Sequence, residues 1–212
     1  MSLVTNPLVA DAFQSIGIPL IYQDGTLFQL DAQRVYRLAR GLIKVVHVHP
    51  DGTHTFKYVI KRGDVFGSLA FLLRGNDVYP EHGLTVGLVE LASLTQDEAH
   101  RLSETDARFR SCLYDAIGKR IVRLEKRMDA MMLDTAEARV VHFLMDYLEA
   151  QGVREDGKLV APNLLTHREI STVTATARQT VTRVFNALRQ KGYIDYDSNR
   201  LVQLAPLRYD GL

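Results

Sequence analysis

The clearest pattern of hydrophobic and polar positions lies near the C-terminal end of the chain. Four apolar residues there are spaced i, i+3, i+4 and i+7, which places them on one face of a helix. They are Val181, Val184, Phe185 and Leu188. Lys191 and Gly192 follow, a cation in the last turn and a glycine just beyond it, and this arrangement is typical of a helix end. The pattern therefore predicts one amphipathic helix over residues 177–191.

A second, shorter helix is predicted immediately before it. Thr166 and Glu169 form a Thr-x-x-Glu capping box, so this helix is expected to begin at about His167. Thr176 and Gln179 repeat the spacing, which predicts that the longer helix is capped by Thr176. Only a turn then separates the two helices.

The polar face of the longer helix is basic and lacks acidic residues. No Asp or Glu occurs between residues 170 and 194. In the major groove Arg reads guanine, and Gln or Asn reads adenine. A solvated helix face is the alternative for such a basic stripe, but two capping boxes around a short turn favour a DNA-binding helix-turn-helix. The residues assigned to DNA contact are Arg178, Gln179, Thr182, Arg183, Thr166, His167, Thr176 and Arg200.

A β-hairpin is predicted directly after this helix pair. Two short runs, 193–196 and 201–204, flank the turn-forming segment Asp197-Ser198-Asn199-Arg200 and would form a wing. ARQTVTRVFNALRQKGYI, preceded by LTHREI and followed by this hairpin, resembles the C-terminal winged helix of the CRP/FNR transcription regulators. The resemblance implies a regulator of transcription, not an enzyme, with double-stranded DNA and RNA polymerase as partners.

The N-terminal part of the chain has a β pattern. Runs at 35–38, 42–48 and 55–60 are rich in β-branched and aromatic residues, and glycines separate them, which predicts a sandwich or barrel. GLIKVVHVHPDGTHTFKYVIKRGDVFGSLAFL resembles the β-roll sensor domain of the same family. Its turn glycines would be Gly41, Gly52, Gly63 and Gly67, with Gly25 at an earlier turn.

A long helix is predicted between these two parts, over residues 106–133. A capping box at Thr95 and Glu98 opens a short helix before it, Ala136 to Gln151 is expected to be helical after it, and residues 154–163 are expected to be a loop. Apolar residues recur in the long helix at spacings of three and four, the pattern of a coiled-coil seam. Such a seam pairs two chains or caps a single domain; its length favours pairing, and the resemblance implies a homodimer. The seam residues are Tyr114, Ile117, Ile121, Leu124, Met128 and Met131.

The expected fold class is therefore α+β, with a jelly-roll-like β-roll, a long dimerisation helix and a winged helix-turn-helix. The expected domains are a sensor over 1–105, the dimerisation helix over 106–133 and a DNA-binding domain over 134–212.

Composition narrows the function further. The 212 residues carry a formal net charge of only +1, so DNA binding must come from local basic clusters. No phosphate-binding glycine loop or catalytic triad pattern is present, and no signal peptide or membrane span is evident, so a soluble cytoplasmic protein without a membrane partner is expected.

The single cysteine, Cys112, is expected to be a small buried side chain. A metal site at His47, His49 and His54 is conceivable, but surface or packing roles are the expectation and no metal is predicted.

The residues of the β-roll indicate which effector the chain can bind. Cyclic-nucleotide-binding members of the family carry a Glu for the ribose where this chain has Ser68, and an Arg for the phosphate where residues 76–84 have none. Cyclic AMP is therefore not expected, because its phosphate would lack a charge-assisted partner.

The segment Phe66-Gly67-Ser68-Leu69, with Arg120 and Glu125 on the long helix, resembles the cyanobacterial global nitrogen regulators. That resemblance implies a 2-oxoglutarate-like effector held by Phe66, Gly67, Ser68, Leu69, Arg120 and Glu125. The chain lacks the strand Arg of those regulators; Tyr79 falls near its place and Arg74 is the nearest substitute. The alternative is that Arg120 and Glu125, at g and e positions, form an interchain ion pair without any effector.

Two further alternatives stay open at this point. Gln179 can cap Thr176 or contact a base, and it cannot fully do both. Ala175 stands where the family usually has Gly, and an Ala at positive φ costs about 1 kcal/mol, so the turn is expected to be strained or altered. For the whole chain, the alternative function is a small-molecule-sensing β-roll whose C-terminal helices make protein contacts.

Overall fold

The structure is a computed structural model that describes residue 13, residues 16–67 and residues 80–207. The chain divides into two compact units, residues 1–122 and 123–212. The division falls inside the long helix, so each unit contains part of it.

The first unit is built on one antiparallel sheet. Its central path has the order β1-β6-β3-β4, with β2 paired to β6 and β5 paired to β3. The strands are β1 (Ile18–Tyr22), β2 (Leu27–Gln29), β3 (Arg34–Val48), β4 (His54–Ile60), β5 (Val65–Gly67) and β6 (His82–Thr95).

The five glycines assigned to turns differ in the structure. Gly67 is the last residue of β5, where it pairs with Val35, and its φ is not positive. The other four, Gly25, Gly41, Gly52 and Gly63, have φ between 73° and 92°, a backbone conformation that residues other than glycine rarely adopt. Gly41 does not end a strand as expected, because the runs at 35–38 and 42–48 join into the single strand β3. The register of β3 against β6 shifts on both sides of Arg40, so the positive φ of Gly41 accommodates an irregularity within the strand.

Apolar side chains fill two clusters in this unit. One cluster lies among the strands and the other lies between the sheet and the helices that follow it. Cys112, expected to be a small buried side chain, packs against the second cluster but is only half-buried, and burial raises the pKa of its thiol. The first cluster contains Leu30, Tyr36, Leu38, Ile43, Val45, Ile60, Val89 and Leu91; the second contains Phe13, Val35, Val65, Leu94, Ala99, Phe109 and Leu113.

Three helices follow the sheet, as predicted. Helix α1 (Gln96–Thr105) begins with the capping box of Thr95 and Glu98. Helix α2 (Ala107–Leu133) is the long helix, and α3 (Ala136–Gln151) is capped by the Thr135 side chain. No helix in the described ranges is long and apolar enough to span a membrane.

The second unit combines helices with a small antiparallel sheet of order β7-β8-β10-β9. Helices α4 (His167–Val173) and α5 (Arg178–Gln190) pack together, and the apolar stripe of α5 is fully buried as predicted. Strands β9 (Ile194–Tyr196) and β10 (Arg200–Gln203) form the predicted hairpin. Strands β7 (Val153–Glu155) and β8 (Lys158–Pro162) complete the sheet.

The expectation of a loop over residues 154–163 is wrong. Asp156 and Gly157 form a two-residue connection between β7 and β8, and both have positive φ, at 48° and 78°. A type I′ hairpin turn requires positive φ at both central residues, and Asp-Gly is a preferred sequence for it. The Asp-Gly dipeptide was therefore a hairpin signal that the loop assignment overlooked.

Candidate functional site

The helix-turn-helix begins where the sequence predicted. The hydroxyl of Thr166 accepts from the Glu169 backbone N–H at 3.2 Å, and the Glu169 carboxylate accepts from the Thr166 N–H at 2.7 Å, so α4 starts at His167. The Thr166 side chain is therefore held in this capping box, and its role in DNA contact stays a prediction.

The second predicted capping box is wrong. The N-cap of α5 is Ala177, which offers no side-chain bond, and the Thr176 hydroxyl instead lies 3.0 Å from the Thr174 hydroxyl. The helix begins at Arg178, one residue later than the box required. Gln179 is consequently the second helical residue and does not cap Thr176, so its side chain lies on the exposed face.

The turn between the helices contains the expected strain and an unexpected brace. Ala175 has φ 49°, which confirms a left-handed alanine at this position. Arg139 of α3 donates to the carbonyl of Thr174 at 2.8 Å and to that of Ala175 at 3.0 Å. Its third nitrogen donates to the carbonyl of Asp134, in the short link between α2 and α3, at 2.9 Å. One guanidinium thus ties the link to the strained turn, and no local sequence pattern revealed it.

The exposed face of α5 forms a shallow groove lined by polar side chains. It contains four of the residues assigned to DNA contact and no acidic side chain of the helix itself. The donor-rich composition suits base edges and phosphates. The lining residues are Arg178, Gln179, Thr182, Arg183, Asn186, Ala187 and Gln190.

The arginines of this surface differ in their partners. Arg183 forms an ion pair with Glu137 of α3, and Arg200 of the wing forms one with Glu155 of β7. Arg178 makes no ion pair with any residue in the described parts of the chain. Arg178 is therefore the most available cation at the N-terminal end of α5.

His167 and Thr182 are brought together across the two helices. The imidazole Nδ1 lies 3.0 Å from the Thr182 hydroxyl, and the ring packs 4.7 Å from the Phe185 ring. Burial, followed by the nearby charge of Arg178, lowers the pKa of His167, so its ring is neutral at pH 7. His167 therefore joins the helices by packing and one hydrogen bond.

The seam of α2 is largely exposed in the single chain. Apolar side chains exposed along one helix need a partner surface to leave water. Ile117 is half-buried, whereas the exposed seam residues are Tyr114, Ile121, Leu124, Met128 and Met131.

The residues assigned to an effector have mixed positions. Phe66 belongs to the roll core, where its ring stacks 5.3 Å from that of Tyr36. The carbonyl of Gly67 accepts from Arg120 at 3.2 Å, so this backbone group faces Arg120 as an acceptor. Glu125 is exposed on α2. Ser68 and Leu69, together with Arg74 and Tyr79, lie outside the described residues.

Arg120 has a partner that the sequence analysis missed. Its guanidinium lies 2.8 Å from the carboxylate of Glu81, a side chain that is only 3% exposed. Lys57 contacts the same carboxylate oxygen at 2.5 Å. Two roles were considered for Arg120, an interchain pair with Glu125 and an effector pocket, and neither included Glu81. Glu81 is 39 residues from Arg120 in the sequence, so no local pattern links the two.

The histidines of the roll make contacts of their own. His47 and His49 pack edge to face at 4.9 Å, and the His49 Nε2 lies 2.6 Å from the Thr55 hydroxyl. His54 is exposed at the start of β4. Within the part of the chain that the structure describes, no group of three or more His, Cys, Asp or Glu side chains is arranged to hold a metal ion.

Two family models match the chain on either side of α2. Residues 24–106 match the cyclic nucleotide-binding domain, and residues 138–208 match the Crp-like helix-turn-helix domain. These matches coincide with the roll and with the winged helix just described.

Individual relatives agree with the domain matches. The transcriptional regulator LdrP of Thermus thermophilus is 30% identical over 169 residues, which cover 77% of this chain and 79% of LdrP. The global nitrogen regulator of a Nostoc species is 23% identical over 176 residues, covering 83% and 79% of the two chains. A CooA mutant from Carboxydothermus hydrogenoformans superposes with a TM-score of 0.76 at 13% identity, over 98% of this chain and 94% of that one, and this likeness shows the fold. The predicted fold class is confirmed, and the chain belongs to the CRP/FNR family of DNA-binding transcription regulators, not to an enzyme family.

Proposed function

We propose that the chain acts in the cytoplasm as a homodimeric regulator that reads a palindromic DNA site, one α5 helix per half-site. The observation that carries the proposal is the exposed, acid-free face of α5, which begins with Arg178, an arginine that forms no ion pair with the residues the structure describes. An arginine there can donate two hydrogen bonds to a guanine edge in the major groove. The wing, which carries Arg200, would contact the phosphate backbone beside that groove.

The exposed seam of α2 supports the homodimer. Two copies of this helix would bury the apolar side chains against each other in parallel, which places one recognition helix on each side of a twofold axis. Half-sites then lie about one helical turn apart, roughly 34 Å. Sedimentation at micromolar concentration should give a dimer, and a stable monomer would contradict this part of the proposal. RNA polymerase is the proposed protein partner at the promoter.

DNA reading is tested by selecting a binding site from random duplex and then replacing Arg178. Arg178→Ala should weaken binding to the selected site by about 1–3 kcal/mol and weaken binding to random duplex much less. Wild-type affinity should fall linearly with salt on logarithmic axes, because phosphate contacts release counterions. Equal losses on both duplexes would make Arg178 a phosphate contact only. Failure to select any site would favour protein contacts as the role of these helices.

The cyclic nucleotide-binding domain match suggests a small-molecule effector for the roll. We propose that this effector is not cyclic AMP, because Ser68 replaces the expected ribose-binding Glu and residues 76–84 contain no Arg. A 2-oxoglutarate-like effector, the class implied by the nitrogen regulators, would need the guanidinium of Arg120. That group is already bonded to Glu81, so such a ligand would compete with the chain's own carboxylate.

A further inference from the structure

We infer that Glu81 is a built-in anion of the β-roll, a specificity-determining residue that holds Lys57 and Arg120 together and keeps small anionic effectors from binding at Arg120. The inference deepens the proposed regulation of the roll and rests on the proposed function only in treating the roll as the sensor.

The Glu81 carboxylate lies at the centre of a compact cluster. Its Oε1 is 2.8 Å from an Arg120 nitrogen and 2.5 Å from the Lys57 ammonium, and its Oε2 accepts from the Tyr58 hydroxyl at 3.2 Å. Both oxygens therefore have donors, as a buried carboxylate requires.

An irregularity in the sheet brings two adjacent side chains to this carboxylate. Neighbouring residues of a regular strand point to opposite faces. The register of β4 shifts where Val45 pairs with Tyr58 and Val46 pairs with Phe56, which leaves Lys57 as the extra residue of a β-bulge. A bulge re-aims a side chain, and here Lys57 and Tyr58 both reach Glu81.

The backbone fixes the carboxylate from the other side. Glu81 immediately precedes β6, and its carbonyl accepts from the Leu30 N–H at 2.9 Å. The acid is thus held by the sheet before any ligand is considered.

The guanidinium of Arg120 is already engaged by the carboxylate of Glu81 and by the backbone at Gly67. One of its terminal nitrogens donates to Glu81, the other donates to the Gly67 carbonyl, and the guanidinium carbon lies 5.4 Å from the centre of the Tyr58 ring. The Arg120 side chain is 18% exposed, and the Lys57 side chain that shares the carboxylate is 33% exposed. An incoming carboxylate would have to displace Glu81 or lie beside it, and two like charges in one site disfavour each other.

The same cluster joins α2 to the sheet within the first unit. In a roll without such a carboxylate, an anionic ligand would have to bridge Arg120 of α2 and the sheet. Here the chain supplies it, so the attachment of Arg120 to the roll is present without an anionic ligand. A ligand changes such an equilibrium only by its differential affinity for the two arrangements.

The test replaces the acid by its neutral isostere and asks whether an anion takes its place. Glu81→Gln removes the negative charge that Glu81 places beside Lys57 and Arg120, so its melting temperature should fall below that of the wild type. Glu90→Gln is the matched control, because Glu90 lies on the same strand β6 in an exposed pair with Arg40, and its melting temperature should stay close to that of the wild type.

Inorganic phosphate and 2-oxoglutarate are then titrated at constant ionic strength. Both should raise the melting temperature of Glu81→Gln, and 2-oxoglutarate should bind the wild type at least about tenfold more weakly than the variant. The double variant Glu81→Gln/Arg120→Met should lose this response, which locates the anion at Arg120.

Three results would overturn the inference. They are equal 2-oxoglutarate affinity in the wild type and Glu81→Gln, no anion response in a folded Glu81→Gln, and an unchanged response in the double variant. If Glu81→Gln does not fold, calorimetric titration of the wild type decides alone, since tight 2-oxoglutarate binding there contradicts a resident anion. None of these measurements uses DNA, so their failure is separate from failure of the proposed DNA reading.

Discussion

The ion pair between Arg183 and Glu137 gives the most specific prediction for DNA binding. Arg183 lies on the exposed face of α5, and its guanidinium is held by a carboxylate from α3. If Arg183 contacts DNA, it must exchange this carboxylate for a base or a phosphate. Glu137→Gln removes the competing charge, keeps nearly the same shape and should therefore strengthen DNA binding.

The expected size follows from the exposure of the two side chains. Arg183 is 67% exposed and Glu137 is 29% exposed, so water and salt screen the pair strongly. Exposed ion pairs are typically worth about 0.2–1 kcal/mol, which limits the gain in affinity for Glu137→Gln to about fivefold. The same pair reduces the net loss for Arg183→Ala, because the free wild-type protein already stabilises this arginine.

A double-mutant cycle separates this competition from a general charge effect. Binding to the selected site is measured for the wild type, Glu137→Gln, Arg183→Ala and the double variant at one salt concentration. Glu149→Gln is the matched control, since Glu149 is exposed on the same helix α3 and its removal changes the net charge equally.

The gain from Glu137→Gln should disappear when Arg183 is absent, and Glu149→Gln should change affinity little. A gain of equal size with and without Arg183 would mean that Glu137 acts only through its charge on DNA. Weaker binding by Glu137→Gln would instead mean that the pair positions Arg183 for DNA.

Three further predictions concern the residues that position α5 and the exposed seam of α2. Ala175→Gly should relieve the positive φ and raise the free energy of unfolding by up to about 1 kcal/mol in calorimetry, whereas Ala187→Gly, inside α5, should lower it by about 0.5–1 kcal/mol. Arg139→Gln should lose its bonds to the turn and the α2–α3 link and cost about 1–3 kcal/mol in denaturant unfolding, and an unchanged midpoint would rule out the brace. Leu124→Glu should shift sedimentation towards monomer, because a charge replaces an exposed apolar side chain of the seam, and an unchanged dimer would place the interface elsewhere.

The parts of the fold that the sequence predicted well depend on local periodicity. The buried stripe of α5 and the capping box at Thr166 involve residues within seven positions of one another, so their geometry follows from the helix repeat. The wing was predicted for a similar reason, since two short β runs flank a turn-forming segment.

The missed features depend on single-residue choices or on distant contacts. The cap of α5 moved from Thr176 to Ala177 because the Thr176 hydroxyl bonds Thr174 inside the turn, which a spacing rule does not include. The cluster at Glu81 depends on a bulge that exposes Lys57 to it and on the packing of a helix 39 residues later. A sequence identifies the charged side chains but does not reveal which of them meet.

Glu81 and Glu137 present the same chemistry in two different environments. Each carboxylate holds an arginine that the sequence analysis assigned to an outside ligand. Glu81 is 3% exposed and Arg120 is 18% exposed, so water cannot readily replace their ion pair, whereas Glu137 is 29% exposed and Arg183 67%, so their separated charges can be hydrated. Burial therefore makes the first pair a fixed part of the roll and leaves the second exchangeable. From this difference we expect that anionic ligands do not displace Arg120 from Glu81, whereas DNA displaces Arg183 from Glu137.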